Sequence, residues 1–141
     1  MNVVLCDVDH TVSDAAWRDY LLGDWDRYHA LQYMDEPINP VIALVEALHR
    51  GGCDVVYLTA RPEKWRAQTE KWLEKNCPPA KLLLMRPHGN HEPSPVVKLS
   101  QAKLHYPDLR SVVVLLMDDR QDVCEAFSRE GVTVLQTRKP A

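Results

Sequence analysis

Short polar clusters in this sequence each follow an apolar run. Asp7-Val8-Asp9-His10-Thr11 follows Val3-Val4-Leu5-Cys6, Thr59-Ala60-Arg61 follows Val55 to Leu58, and Asp118-Asp119 follows Val112 to Met117. Taken singly, an Asp after a strand is an ordinary turn residue or helix cap. Four carboxylates at two such ends, with a Thr at a third, exceed what capping requires. Gathered like charges repel unless a cation neutralises them, and an all-oxygen cluster suits Mg²⁺. Phosphoryl transfer uses these parts. One carboxylate attacks phosphorus and forms an acyl phosphate. A cation and a basic side chain offset the equatorial oxygens. A second acid protonates the leaving oxygen. Side chains at i and i+2 of an extended backbone share a face, so Asp7 and Asp9 can aim at one phosphorus. Asp7 is the expected nucleophile. Asp9 is the expected acid, and later the base toward water. Lys98 is expected to lie across the same mouth.

These residues need elements to carry them. Val3–Cys6, 54–58, 82–85, 112–117 and 133–136 read as five short buried strands. Between them the sequence predicts helices. The first starts at Asn39-Pro40, read as cap and first-turn proline, and stops at Gly51-Gly52. The second runs from Pro62 to about Asn76. The third covers 96–105, and the fourth covers 122–130 with Gly131 at its end. The tail from Arg138 is expected to fray. Near-continuous apolar strands alternating with helices indicate an α/β fold: a small doubly wound three-layer sandwich with a parallel sheet covered on both faces. In such sheets, sites form beyond the carboxyl ends of strands, where all the clusters above stand.

The 141 residues fit one domain, 1–141, of ordinary globular composition, with 45% hydrophobic and 26% charged residues. The net charge of −3 weighs against a protein that lives mainly on electrostatic binding to nucleic acid or membranes. The longest apolar run, Val112 to Met117, is far short of the roughly 20 residues of a membrane span. Asp7 and Asp9 interrupt the first apolar stretch, so no signal peptide is read there. Cys6, Cys53, Cys77 and Cys124 form no Cys-x-x-Cys pair and read as reduced thiols of a cytoplasmic protein.

The ordered set Asp-x-Asp-x-Thr, strand-end Thr, Lys and acidic pair resembles the haloacid dehalogenase-type (HAD) phosphatase superfamily over about residues 3 to 138. Within it, the chain is most similar to the phosphatase domain of phage-type polynucleotide kinase-phosphatases. Thr59-Ala60-Arg61, Met85-Arg86, Val96-Val97-Lys98, Asp118-Asp119-Arg120 and 131–136 carry that likeness. The resemblance implies a Rossmann-like core with strand order 5-4-1-2-3 and no full cap domain. It implies Mg²⁺ held by the Asp7 carboxylate, the Asp9 backbone carbonyl and Asp119, with Asp118 behind them or a weaker ligand. Asp7, Asp9, Thr59 and Lys98 would be catalytic, and Arg61, Arg86 and Thr11 would bind substrate. Two departures stand out. His10 replaces the usual Gly, and Pro93-Ser94-Pro95 replaces charged residues before the lysine.

Other residues have two readings. Arg61 is a phosphate clamp or a surface residue at a helix start. His10 is a turn residue or a catalytic one. Asp122 supports the acidic pair or begins a helix. His88 and His91 lack the acidic neighbours of a second metal site. Trp17, Tyr20, Trp25, Tyr28 and Tyr33, half of the chain's aromatics, crowd an insert at about 12–38. It is a lid or base-stacking surface, or a mini-core over the sheet mouth. Trp65 and Trp72 read as core or a partner face. The expected function is a Mg²⁺-dependent phosphomonoesterase acting on a polynucleotide 3′-phosphate or a nucleoside monophosphate. Its alternatives are an inactive HAD-like binding module and a phosphoacceptor receiver domain. A receiver would carry its phosphorylated Asp after the third strand, where Met85-Arg86 stands.

Overall fold

Val and Leu runs too short for helices and apolar on both faces pair as parallel strands. In the computed structural model, which describes residues 1–138, five strands form one sheet: β1 (Val3–Cys6), β4 (Asp54–Pro62), β5 (Leu82–Arg86), β6 (Val113–Asp118) and β7 (Val134–Gln136). Their order is β5-β4-β1-β6-β7, all parallel. Two short strands, β2 (Ser13–Asp14) and β3 (Glu36–Pro37), pair apart from the sheet and shift the numbering. With the five sheet strands counted alone, the order is the expected 5-4-1-2-3. Of the tail expected to fray, residues 139–141 lie outside the described residues.

Alternation along the strands builds a core on each face. Val3 and Leu5 join Leu58, Leu116, Ala102 and Phe127 beneath α4 (Ser94–His105) and α6 (Gln121–Arg129). Val4 and Cys6 join Tyr57, Val45, Leu73 and Met117 beneath α2 (Asn39–Arg50) and α3 (Arg66–Asn76). A short helix, α5 (Leu109–Val112), leads into β6. All four cysteines are free.

Several boundaries differ from expectation, among them Val112, expected in the fourth strand, which ends α5. Asn39 is already helical and caps nothing with its side chain; Ile38 precedes the helix. The start of α4 lies at Ser94, with Pro95 in the first turn, where the missing N–H costs nothing. Most important, β4 runs on through Thr59-Ala60-Arg61 to Pro62, its register with β5 shifting between Leu58 and Pro62. The helix expected at Pro62 begins only at Arg66, after a 3₁₀ turn at Glu63–Trp65. Buried polar contacts of Arg61, described below, hold this extension. The 12–38 stretch leaves and rejoins the core through the β2–β3 pair. It contains two 3₁₀ helices, Ala16–Leu21 and Gln32–Met34, around α1 (Trp25–Ala30). There is no cap domain among the described residues.

Candidate active site

The carboxyl ends of β1, β4 and β6 are adjacent, so the sheet order alone brings the three clusters together. Asp7 is buried just past β1, its N–H on the carbonyl of Met117 at 2.9 Å. The second turn of α4 aims Lys98 at the same point. Its buried ammonium donates to Asp7 Oδ1 at 2.7 Å and to Asp118 Oδ2 at 2.6 Å. Thr11 donates its hydroxyl to Asp7 Oδ2 at 2.9 Å. Thr11 is fully buried, so it holds the carboxylate from behind. Asp7, Asp118 and Asp119 each offer an oxygen within 4.8 Å of the others.

Two of these carboxylates thus share one ammonium, with the third beside them. Burial drives Asp7 up to about 6 against the pull of Lys98, with Asp119 adding to the rise. Burial and then Asp7 push Asp118 up to about 6 as well, again against Lys98. Burial works against the Lys98 charge, but Asp7 and Asp118 outweigh it and hold the ammonium above its ordinary value. The surplus negative charge and the all-oxygen donor set fit a hard divalent cation.

Asp9 faces a different environment. It accepts from Arg61 Nη2 at 2.8 Å and Nε at 3.1 Å, and from Arg18 Nη2 at 2.8 Å. Burial raises its carboxyl, but the two guanidiniums more than reverse this and hold it well below the usual carboxylate range. Arg61, one of the expected substrate binders, is buried and not at the surface. Beyond Asp9 its donors go to Gln32, Thr69, Ser13 and Asp35. Asp35 also takes Arg18 from two sides, at 2.8 and 2.6 Å, and the Trp17 indole N–H at 2.9 Å. Arg18, Asp35, Gln32 and Thr69 were not singled out in the sequence. Arg18 and Asp35 are distant in the chain, each looks like a surface residue alone, and only folding of the insert joins them.

The remaining candidates divide as follows. Thr59 is buried and lines the site, its Oγ1 accepting from the Arg61 N–H at 3.1 Å. Arg86 lines the same cavity but donates to the carbonyls of Ala60 at 3.0 Å and Glu92 at 2.6 Å, holding the loop after β5. His10 has φ of +64°, a left-handed turn that glycine enters without strain. Asp122 accepts from Arg120 and from the N–H of Val123, so it serves the start of α6. His88 and His91 line the cavity without joining an acidic cluster among the described residues. Trp72 is core, its indole N–H on the Asp35 carbonyl at 2.9 Å. Asp7, Asp9, Thr59, Arg61, Arg86, Lys98 and Asp119 all line one cavity of about 1040 Å³.

The profile of the family described as "Polynucleotide kinase PNKP phosphatase domain" matches residues 1–141. The chain belongs to this HAD-type family of phosphatase domains. A solved chain from the Pnkp1/Rnl/Hen1 complex is similar at 26% identity and a TM-score of 0.82, over 96% of this chain and 45% of that one. The chain therefore spans less than half the length of that relative. A second structure of that assembly calls it an RNA repair complex. A predicted phosphatase from Clostridium acetobutylicum (13% identity, TM-score 0.70, covering 96% and 83%) shares the fold. A hydrolase from Pseudomonas syringae (15%, 0.65, covering 96% and 84%) does so too. None of the curated proteins matches the chain. No helix of the described residues is long and apolar enough to cross a membrane.

Proposed function

We propose that the chain is a Mg²⁺-dependent phosphomonoesterase that works through a phosphoryl group carried on Asp7, with a polynucleotide 3′-phosphate end as its substrate. The observation that carries this reading is Lys98 bridging Asp7 and Asp118, with Asp119 beside them and Asp9 in the same cavity. Asp7 Oδ forms a bond to phosphorus as the ester P–O bond breaks. The departing oxygen takes a proton from Asp9. A water molecule then gives its proton to Asp9 and attacks the phosphorus, which frees Asp7 and inorganic phosphate. Lys98 keeps Asp7 ionised and offsets charge on the transferring group. Asp7, Asp119 and the Asp9 carbonyl would hold Mg²⁺, with Asp118 behind them, and the ion would neutralise phosphoryl oxygens. Asp9, ionised between two arginines, carries a proton only when substrate draws Arg61 or Arg18 away. Arg61 would then grip the phosphate in its place. Thr59 of β4 would take a phosphoryl oxygen.

The polynucleotide end is favoured by the family and by the open cavity without a cap. The second substrate reading, a nucleoside monophosphate, is favoured by the net charge of −3 and by Pro93-Ser94-Pro95 standing where charged residues are expected before Lys98. Hydrolysis of a 3′-phosphorylated oligonucleotide and of nucleoside monophosphates, with Mg²⁺ and with chelator, tests both. The expected result is Mg²⁺-dependent release of phosphate from the oligonucleotide with the higher kcat/KM. Preference for the mononucleotide would transfer the assignment. Activity undiminished by chelator would remove the metal.

A further inference from the structure

The cavity has an aromatic stretch of wall that the phosphoryl chemistry does not use. Trp25 and His29 of α1 and Trp65 of the turn after β4 line it alongside Asp7 and Asp9. The His29 imidazole stacks with Trp25 at a centroid distance of 6.1 Å and 26° between planes. It meets Trp65 at 6.1 Å and 36°, and Tyr28 edge-on at 5.2 Å. His29 is only 8% exposed, and its buried Nδ1 finds no hydrogen-bond partner among the described residues. Trp25 is 55% exposed. Lys64 ties the two sides together: it pairs with Asp26 of α1 at 2.7 Å and lies 5.4 Å over the Trp65 ring. The wall is therefore apolar, braced from both elements, and topped by an indole left in water. A buried imidazole nitrogen without a partner carries a free-energy cost.

We propose that Trp25 and Trp65, over the His29 floor, form a stacking subsite for the nucleobase attached to the phosphate that reaches Asp7. The inference rests on the phosphatase reading above and adds to it a selection for base-bearing phosphomonoesters. Every base offers a π face, and indole is a strong stacking partner that needs no particular sequence. The phosphoryl group and the base thus meet different walls of one cavity, the first charged and the second neutral. The test compares kcat/KM on a base-bearing substrate with that on its abasic counterpart. One pair is a 3′-phosphorylated oligonucleotide with and without its terminal base; the other is a nucleoside 3′-monophosphate and the corresponding sugar phosphate. The parent should favour the base-bearing member by about tenfold or more, and Trp25→Ala should lose most of that ratio. Trp25→Phe should keep much of it. The pair that shows the preference identifies the source of the base, polymer or free nucleotide. A ratio near one in the parent, or one unchanged in Trp25→Ala, overturns the subsite. A general loss of activity cancels in the ratio. If the parent releases phosphate from none of these, the phosphatase reading fails. Tryptophan fluorescence titrated with the nucleoside 3′-monophosphate then still decides the subsite. Base-dependent quenching lost in Trp25→Ala supports it, and binding indifferent to the base overturns it.

Discussion

Lys98 pairs with two buried carboxylates, so its removal leaves Asp7 and Asp118 facing each other without the ammonium that bridges them. Lys98→Ala should lower kcat by about 10²-fold or more, the scale of losing one electrostatic donor, with a smaller change in KM. An effect confined to KM would mean that Lys98 is not at the reacting phosphoryl group. Arg61 makes a different prediction. Its buried guanidinium faces the buried Asp35 and the half-buried Asp9, and breaking a buried pair from one side costs about 3–5 kcal/mol. Arg61→Ala should lose stability on that scale in urea denaturation as well as activity. An unchanged unfolding midpoint would show that the buried network contributes nothing. The carboxylates and Thr59 were legible in the sequence because each directly follows an apolar run, and Lys98 because of its place in the ordered set of motifs. Arg18 and Asp35 were not, because their partnership exists only across the fold of the insert.

At the scale of elements, the strands and most helices were legible, since periodicity and Gly or Pro punctuation mark them. The extension of β4 through Arg61 was not, because Pro62 reads locally as a helix start, while its pairing with Arg86 and the ion pairs of Arg61 hold the chain extended. The insert was read as either lid or mini-core. It is pinned to the site: Arg18 reaches Asp9, and α1 packs His29 into the cavity wall. Burial holds His29 down at about 4, below its usual 6.5. Between those values the unfolded chain takes up a proton that the folded chain refuses. The contribution is full above pH 6.5 and is lost as pH falls toward 4, up to about 3 kcal/mol. His29→Phe, which cannot charge, should lose less stability than the parent between pH 7 and 4.5. Equal losses in denaturant titrations at the two pH values would contradict the burial of a neutral imidazole.

For the whole molecule, a five-stranded parallel sheet gathers residues 111 positions apart, Asp7 and Asp118, at one edge of the core. The surplus negative charge there opposes folding unless a cation binds. Mg²⁺ that binds only the folded chain should raise the melting temperature progressively with its concentration. Asp119→Asn should diminish the rise. A melting temperature indifferent to millimolar Mg²⁺ would argue against the metal site.

The central claim is that Asp7 accepts the phosphoryl group. Its most direct measurement is turnover of a 3′-phosphorylated oligonucleotide by the parent and by Asp7→Asn, with acid-quenched protein analysed by peptide mass spectrometry. Asp7→Asn should lose at least about 10³-fold in kcat. A phosphoryl group should be found on the Asp7 peptide of the parent alone. Near-parental turnover by Asp7→Asn, or a phosphoryl group trapped on another residue, would show that Asp7 is not the acceptor.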